Sequence, residues 1–428
     1  MAAKAAPLGG GTKAPMKISY KVVTLFMVMA IAAVACGGGT STAPSSEPST
    51  AASGEPSQAA GLEGNLTIWH AYGSSGGAAE FNAFQKALKA VTDANPGLVV
   101  SVVQQDFGSL YTNFENESGA GGGPDMFIGP NDSLGNEARG GYLVDLTGKI
   151  DDVLAASSEV SVAGSKVGDA VYMVPESLKA VAMYYDTAVV TTAPTTTDEL
   201  LQYVKDGGKV GLITGAYFGW GFYSAFGGKI FNDDGTCAAA DGGVADAIAY
   251  VKELRDAGAL VDPDYAKVND AFLNKDIDIM LNGNWVLGDY KAARPALAVG
   301  PVPAGPGGPA KTMTGVDGWY INAASTNQDL AIAVASALVS AASQQIMVTD
   351  AGHVPANTSV NASDELVAAF TTAISSGDAR PQGPEMGNYW GPFGDAWNKA
   401  IPADGSAGSD PAAEVETACG LMDTANNK

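Results

Sequence analysis

From Leu66 onward, short apolar runs alternate with stretches whose apolar residues recur at helical spacing. No other feature constrains the fold as much. "LTIW" (Leu66–Trp69) reads as a strand. In the stretch that follows, Phe81, Phe84, Leu88 and Val91 mark one face of a helix, which "NPG" (Asn95–Gly97) ends. "LVVSVVQQ" is a second strand, and this opening is the start of a β-α-β unit on a parallel sheet. "PDMFIG" (Pro124–Gly129) is a third strand after a Gly-rich bend. "VYMVPES", "AVAMYYD" and "KVGLITG" add extended segments, and Val244, Ile248, Val251 and Leu254 give another amphipathic helix, closed by Gly258. Ile277, Ile279 and Leu281 alternate with Asp276, Asp278 and Met280, the pattern of a half-buried strand. Helical patterns resume from Asp329. The expected class is α/β, and 428 residues suffice for two domains.

Ahead of this body, lysines precede the apolar run "VVTLFMVMAIAAVA" (Val22–Ala35). That run is shorter than the roughly 20 residues of a membrane-spanning helix, so residues 1–36 read as a secretory signal, with Met1 or Met16 as its start. Ala33-Val34-Ala35-Cys36 has the form of a bacterial lipobox, which makes Cys36 the expected lipidation site. Residues 37–61, rich in Ser, Pro, Gly and Ala, read as a flexible tether. Four of the 23 basic residues fall in the leader and all 46 acidic ones beyond it, so the rest carries a net charge of −27. Such a body repels nucleic acid. Export permits Cys237 and Cys419 to pair as a disulfide, with two free thiols as the alternative. The histidines and cysteines nowhere stand at metal-ligand spacing, so no metal and no cofactor are expected.

The loop "YGSSGG" (Tyr72–Gly77) contains G-x-S-x-G, centred on Ser75, and His353 lies downstream. A serine hydrolase is one reading, and a loop that holds a ligand without breaking it is the other. The motif arises readily in a chain with 54 glycines, and little sheet precedes it to supply an oxyanion loop. The aromatics favour binding. Tyr72, Tyr217, Trp220, Trp285, Trp319, Trp390 and Trp397 stand near glycines or at strand–loop junctions. Sugar rings present C–H faces that stack on such side chains, and hydroxyls that need carboxylates or amides. Asp132, Asp317, Asn282 and Asn284 are the candidates for that polar role.

Eight segments occur in an order that carries a family resemblance: "LTIWHAYGSSGG", "GPDMFIGPNDSLGNEARGGYLVDL", "VYMVPESLKAVAMYYD", "YFGWGFYSAFGGKIFNDDG", "AFLNKDIDIMLNGNW", "GVDGWYINAAS", "GHVPAN" and "NYWGPFGDAW". The body, about Leu62 to Met422, resembles the maltose/maltodextrin-type (family 1) extracellular solute-binding proteins of bacterial ABC sugar importers. The resemblance implies a two-lobed periplasmic-binding-protein fold with a hinged cleft, crossed by the chain near Leu178, Gly315 and Gly352. The lobes would be 62–178 plus 316–353 and 179–315 plus 354–428. It further implies a non-enzymatic, monomeric receptor anchored outside the cell membrane by its lipid, which delivers an oligosaccharide to an ABC permease and its ATPase. A polyamine or glycerol-phosphate is the alternative solute, and the hydrolase using Ser75 and His353 is the alternative class. Implied ligand contacts are Tyr72, Ser74, Ser75, Asp132, Tyr217, Trp285, Asp317, Trp319 and Trp390. Four positions depart from the best-known maltodextrin binders: Gly129 stands for a tryptophan, Ser133 for an arginine, and Gly215 and Lys179 each for a glutamate. These departures leave the sugar open.

Overall fold

The computed structural model describes residues 61–74 and 77–428. The signal segment, the lipobox cysteine Cys36, most of the tether and Ser75 lie outside the described residues.

Two sheets organise the chain. The first is built from β1 (Gly64–His70), β2 (Leu98–Gln104), β3 (Met126–Pro130), β6 (Met173–Lys179), β12 (Met313–Ile321), β13 (Val354–Pro355) and β14 (Asp378–Ala379). Its order is β13-β6-β12-β3-β1-β2, with β14 beside the start of β12. β1 runs parallel to both β2 and β3, as the β-α-β pattern requires, whereas β12 is antiparallel to β3 and β6. A small hairpin, β4 (Lys166–Val167) and β5 (Ala170–Val171), stands apart. The second sheet holds β7 (Val181–Asp186), β8 (Val210–Ile213), β9 (Leu260–Asp262), β10 (Ile279–Gly283) and β11 (Leu297–Gly300), in the order β11-β7-β10-β8-β9. The chain passes from one sheet to the other between Lys179 and Val181, returns between Gly300 and Met313, leaves after Pro355, and touches the first sheet once more at β14. At its edge Gly315 pairs with Lys179, Met313 and Thr314 with Asp378 and Ala379, and Val354 and Pro355 with Leu178 and Ser177.

The first helix, Ala79–Ala94, buries Ala83, Phe84, Ala87, Leu88 and Val91 on the first sheet. Each large side chain so buried contributes about 1.5–3 kcal/mol. Asn95 ends the helix, its side-chain amide donating to the Val91 carbonyl. The helices Gln328–Leu338 and Ala341–Ala351 complete this layer. Helices cover the second sheet on both faces. Leu200, Ile248, Phe393 and Val415 pack on one side, and Phe272, Tyr290 and Phe370 on the other. That double cover corrects one expectation. β10 is buried along its whole length rather than half-buried, as a central strand between two helical layers must be. Cys237 and Cys419 are joined as a disulfide, with their Cα atoms 5.3 Å apart, which ties the last helix, Pro411–Ala425, to the loop at 232–237.

Candidate functional site

A cavity of about 430 Å³ lies between the two sheets, at the carboxyl ends of their parallel strands. Loops at those ends converge without being needed for the sheet's own packing, so this is where α/β folds place ligands. From the first sheet come Tyr72 and Gly73 after β1, Pro130 and Asp132 after β3, Lys179 at the end of β6, and Asp317 on β12. Glu80 joins them from the first turn of the helix Ala79–Ala94. From the second sheet come Tyr217 and Phe218 after β8, Tyr265 after β9, and Trp285 after β10. Trp390, the first residue of the helix Trp390–Ala400, and Arg380, just past β14, close the lining.

The aromatic side is braced internally. Trp285 Nε1 donates to the Tyr265 hydroxyl at 2.8 Å, and Asn282 Nδ2 donates to that hydroxyl at 3.2 Å and to the Tyr290 hydroxyl at 2.9 Å. Tyr217, Phe218 and Trp285 pack with centroids 5.4–6.2 Å apart. Burial pushes the Tyr217 hydroxyl up to about 12, so it stays a neutral donor and acceptor. Asn282 and Asn284, read from sequence as ligand-facing, are wholly buried. Asn284 instead clips the crossing, accepting from the Ala180 N–H and donating to the Leu178 carbonyl.

The opposite side is charged. Lys179 Nζ lies 2.7 Å from Glu80 and 3.5 Å from Asp317. Burial opposes ionisation of Glu80, but Lys179 and His353 overcome it and hold the carboxyl at about 2. For Asp317 burial wins over Lys179, helped by the charges of Glu80 and Glu176, and pushes its carboxyl up to about 6. Its Oδ1 is buried without a partner among the described residues. Arg380 donates to Asp132 and to Asn131 Oδ1, and its guanidinium lies 5.4 Å from the Tyr217 ring centre. Arg380 thus brings a guanidinium to the carboxylate next to Ser133, from 248 residues away.

Of the residues expected at the site, Tyr72, Asp132, Tyr217, Trp285, Asp317 and Trp390 line the cavity together. Trp319 does not. It is 1% exposed and packs on Phe84 beneath the first helix, with ring centroids 5.7 Å apart. Two residues beyond Asp317 on the same strand face, it sits roughly 6.6 Å deeper, inside the core. Ser74 is absent from the lining, its hydroxyl buried with no partner among the described residues. Trp397 is a core residue too, donating to the Tyr223 hydroxyl at 2.7 Å. His353 is held between Glu80 and Glu176, with Lys179 Nζ 3.1 Å from its Nε2, and no serine is among its partners in the described residues, which do not include Ser75. Glu80, Phe218, Tyr265 and Arg380 escaped the sequence reading, although Glu80 stands three residues after the Gly-rich loop, a local signal. Gly129 lines the cavity, and a Cβ there would meet the Tyr111 hydroxyl at 2.8 Å, so Tyr111 occupies the space a larger residue would need.

Residues 82–372, more than half of the chain, match the family model described as "Bacterial extracellular solute-binding protein". The chain is 24% identical to the galactooligosaccharide-binding protein of Bacillus subtilis, over 94% of this chain and 97% of that one. It is similar to the maltotriose-binding protein of Thermus thermophilus solved with maltotriose, with a TM-score of 0.74 and 27% identity over 84% of this chain and all of that one. The fold is also that of the GacH receptor of Streptomyces glaucescens, solved unliganded and with acarbose: TM-score 0.77, 23% identity, 85% of this chain and 98% of the receptor. Proteins of this kind bind solutes for transport rather than transform them. The chain belongs to the bacterial extracellular solute-binding proteins, and its likeness within them is to the maltose/maltodextrin type.

Proposed function

We propose that this protein captures an oligosaccharide, malto-oligosaccharide-like in character, in the cleft between its sheets. It then delivers the ligand to an ABC permease driven by its ATPase. The observation that carries the reading is the pairing of an aromatic wall with a charged wall across one cavity. A pyranose ring has an apolar face for the first and hydroxyls for the second. Relatives named for galactooligosaccharide, maltotriose and maltodextrin binding support the class of ligand. On this reading Tyr72, Asp132, Tyr217, Trp285, Asp317 and Trp390 touch the sugar, and Ser75, outside the described residues, is a further contact proposed from the sequence. The two lobes close on the ligand as a monomer, and lipid on Cys36 holds the receptor outside the membrane; relatives described as solute-binding lipoproteins support that anchor.

The test is a calorimetric titration of the protein lacking residues 1–36. The panel is maltose, maltotriose, a cyclodextrin, trehalose, a xylo-oligosaccharide and spermidine. Saturable binding of one sugar is expected. Binding of spermidine alone, with every sugar silent, would overturn the oligosaccharide reading.

A further inference from the structure

Behind the charged wall lies a histidine that the ligand reading does not use. His353 is 1% exposed and immediately precedes β13, where Val354 pairs with Leu178 beside the crossing between the sheets. Its Nε2 lies 2.7 Å from Glu80 Oε1 and 3.1 Å from Lys179 Nζ, and its Nδ1 3.2 Å from Glu176 Oε1. Both nitrogens therefore face carboxylates. A neutral imidazole has one N–H and leaves one carboxylate without a donor, its Nε2 lone pair then accepting from Lys179, whereas an imidazolium donates to both carboxylates. A β-bulge prepares this arrangement. Register shifts between Asp317 and Gly318, so that β6 carries one residue more than β12 there. The extra residue is Glu176, re-aimed toward the side where Asp317 and Lys179 meet.

The same Glu80 oxygen that accepts from His353 accepts from Lys179 at 2.7 Å. Glu80 Oε2 has no partner among the described residues, and Glu80 lines the cavity. The groups facing His353 are Glu80 from the first helix, Glu176 and Lys179 from β6, Asp317 from β12, and Tyr72, whose ring centre is 6.4 Å away. Asp350, the carboxylate of the preceding helix, is turned to Lys86 at 2.7 Å. Three carboxylates thus stand against Lys179 and His353.

We propose that His353, charged and held between Glu80 and Glu176, is a positioning residue that fixes the Glu80–Lys179 pair in the cleft wall and so sets how tightly the ligand is held. This rests on the oligosaccharide reading of the cleft. Burial and Lys179 oppose the imidazolium, but Glu176 and Glu80 outweigh them and push it up to about 9. The pair should therefore be held in place below that pH and released as pH rises through it.

The chain has two histidines, and burial pushes the other, His70, down to about 4, so one imidazole resonance is left to titrate above pH 7. In the unliganded protein its midpoint should fall near 9; a midpoint near the ordinary 6.5 would overturn the proposal. Maltotriose titrations across pH 9 supply the second readout. Wild type should weaken as pH rises through that value. His353→Gln should bind about tenfold more weakly at pH 7 and show no inflection near 9. Glu176→Gln removes a carboxylate that does not line the cleft. It should bind as wild type at pH 6.5 with its inflection moved to lower pH, and it decides the matter if His353→Gln does not fold. A folded His353→Gln with wild-type affinity at pH 7, or an inflection unmoved in Glu176→Gln, would overturn the proposal. If wild type bound no maltotriose at any pH, the oligosaccharide reading would fail, and the resonance alone would still judge the imidazolium.

Discussion

The two walls of the cleft hold themselves together by different physics. On the second sheet's side, Tyr217, Phe218, Tyr265 and Trp285 brace one another by ring packing and hydrogen bonds between neutral groups. On the first sheet's side, Glu80, Lys179 and Asp317 are positioned by charge, and that charge depends on groups buried behind the surface. The aromatic wall should respond to loss of area and ignore pH. The charged wall should respond to protonation and to substitutions that never touch a ligand.

The largest effect that sharpens the contrast concerns a tryptophan in neither wall. Trp319→Ala should cost about 3–5 kcal/mol of folding stability in urea melts, as truncation of a core aromatic does, and leave maltotriose affinity of the folded protein unchanged. Lost affinity with intact stability would return Trp319 to the cleft. Next in size, Trp390→Ala should weaken maltotriose binding by about 1–3 kcal/mol, the usual cost of an anchor aromatic, equally at pH 5 and pH 7. Unchanged affinity would remove Trp390 from the aromatic wall. The smallest effect belongs to the charged wall. Because burial raises the Asp317 carboxyl to about 6, it gains a proton as pH falls from 7 to 5 and ceases to be an ionic acceptor. Affinity should then drop about two- to fivefold, the difference between a charge-assisted and a neutral hydrogen bond. Asp317→Asn should abolish that slope; a slope that survived in the variant would assign it to another group.

The walls also differ in how far the sequence exposes them. Tyr217, Trp285 and Trp390 announce themselves beside glycines at strand–loop junctions, and Asp132 stands at the end of an obvious strand. Local pattern suffices there because the loop that holds each residue is contiguous with it. Trp319 shares those signals, but its depth depends on the first helix lying over it, which no spacing within "DGWY" records. The charged wall is almost wholly non-local. Glu80 meets Lys179 across 99 residues and His353 across 273, and Arg380 meets Asp132 across 248. The alternation of strands and helices was legible from the opening β-α-β unit. The full burial of β10 was not, because it comes from helices contributed by distant segments on both faces of the sheet.

The claim that the two walls form one sugar site is tested most directly by a crystal structure of the protein lacking residues 1–36 with saturating maltotriose. The account predicts glucose rings against Trp285 and Trp390, with hydroxyls donating to Asp132 and Asp317. A sugar found elsewhere, for instance in the outer groove lined by His70, Phe81 and Val102, with the cleft empty, would contradict it.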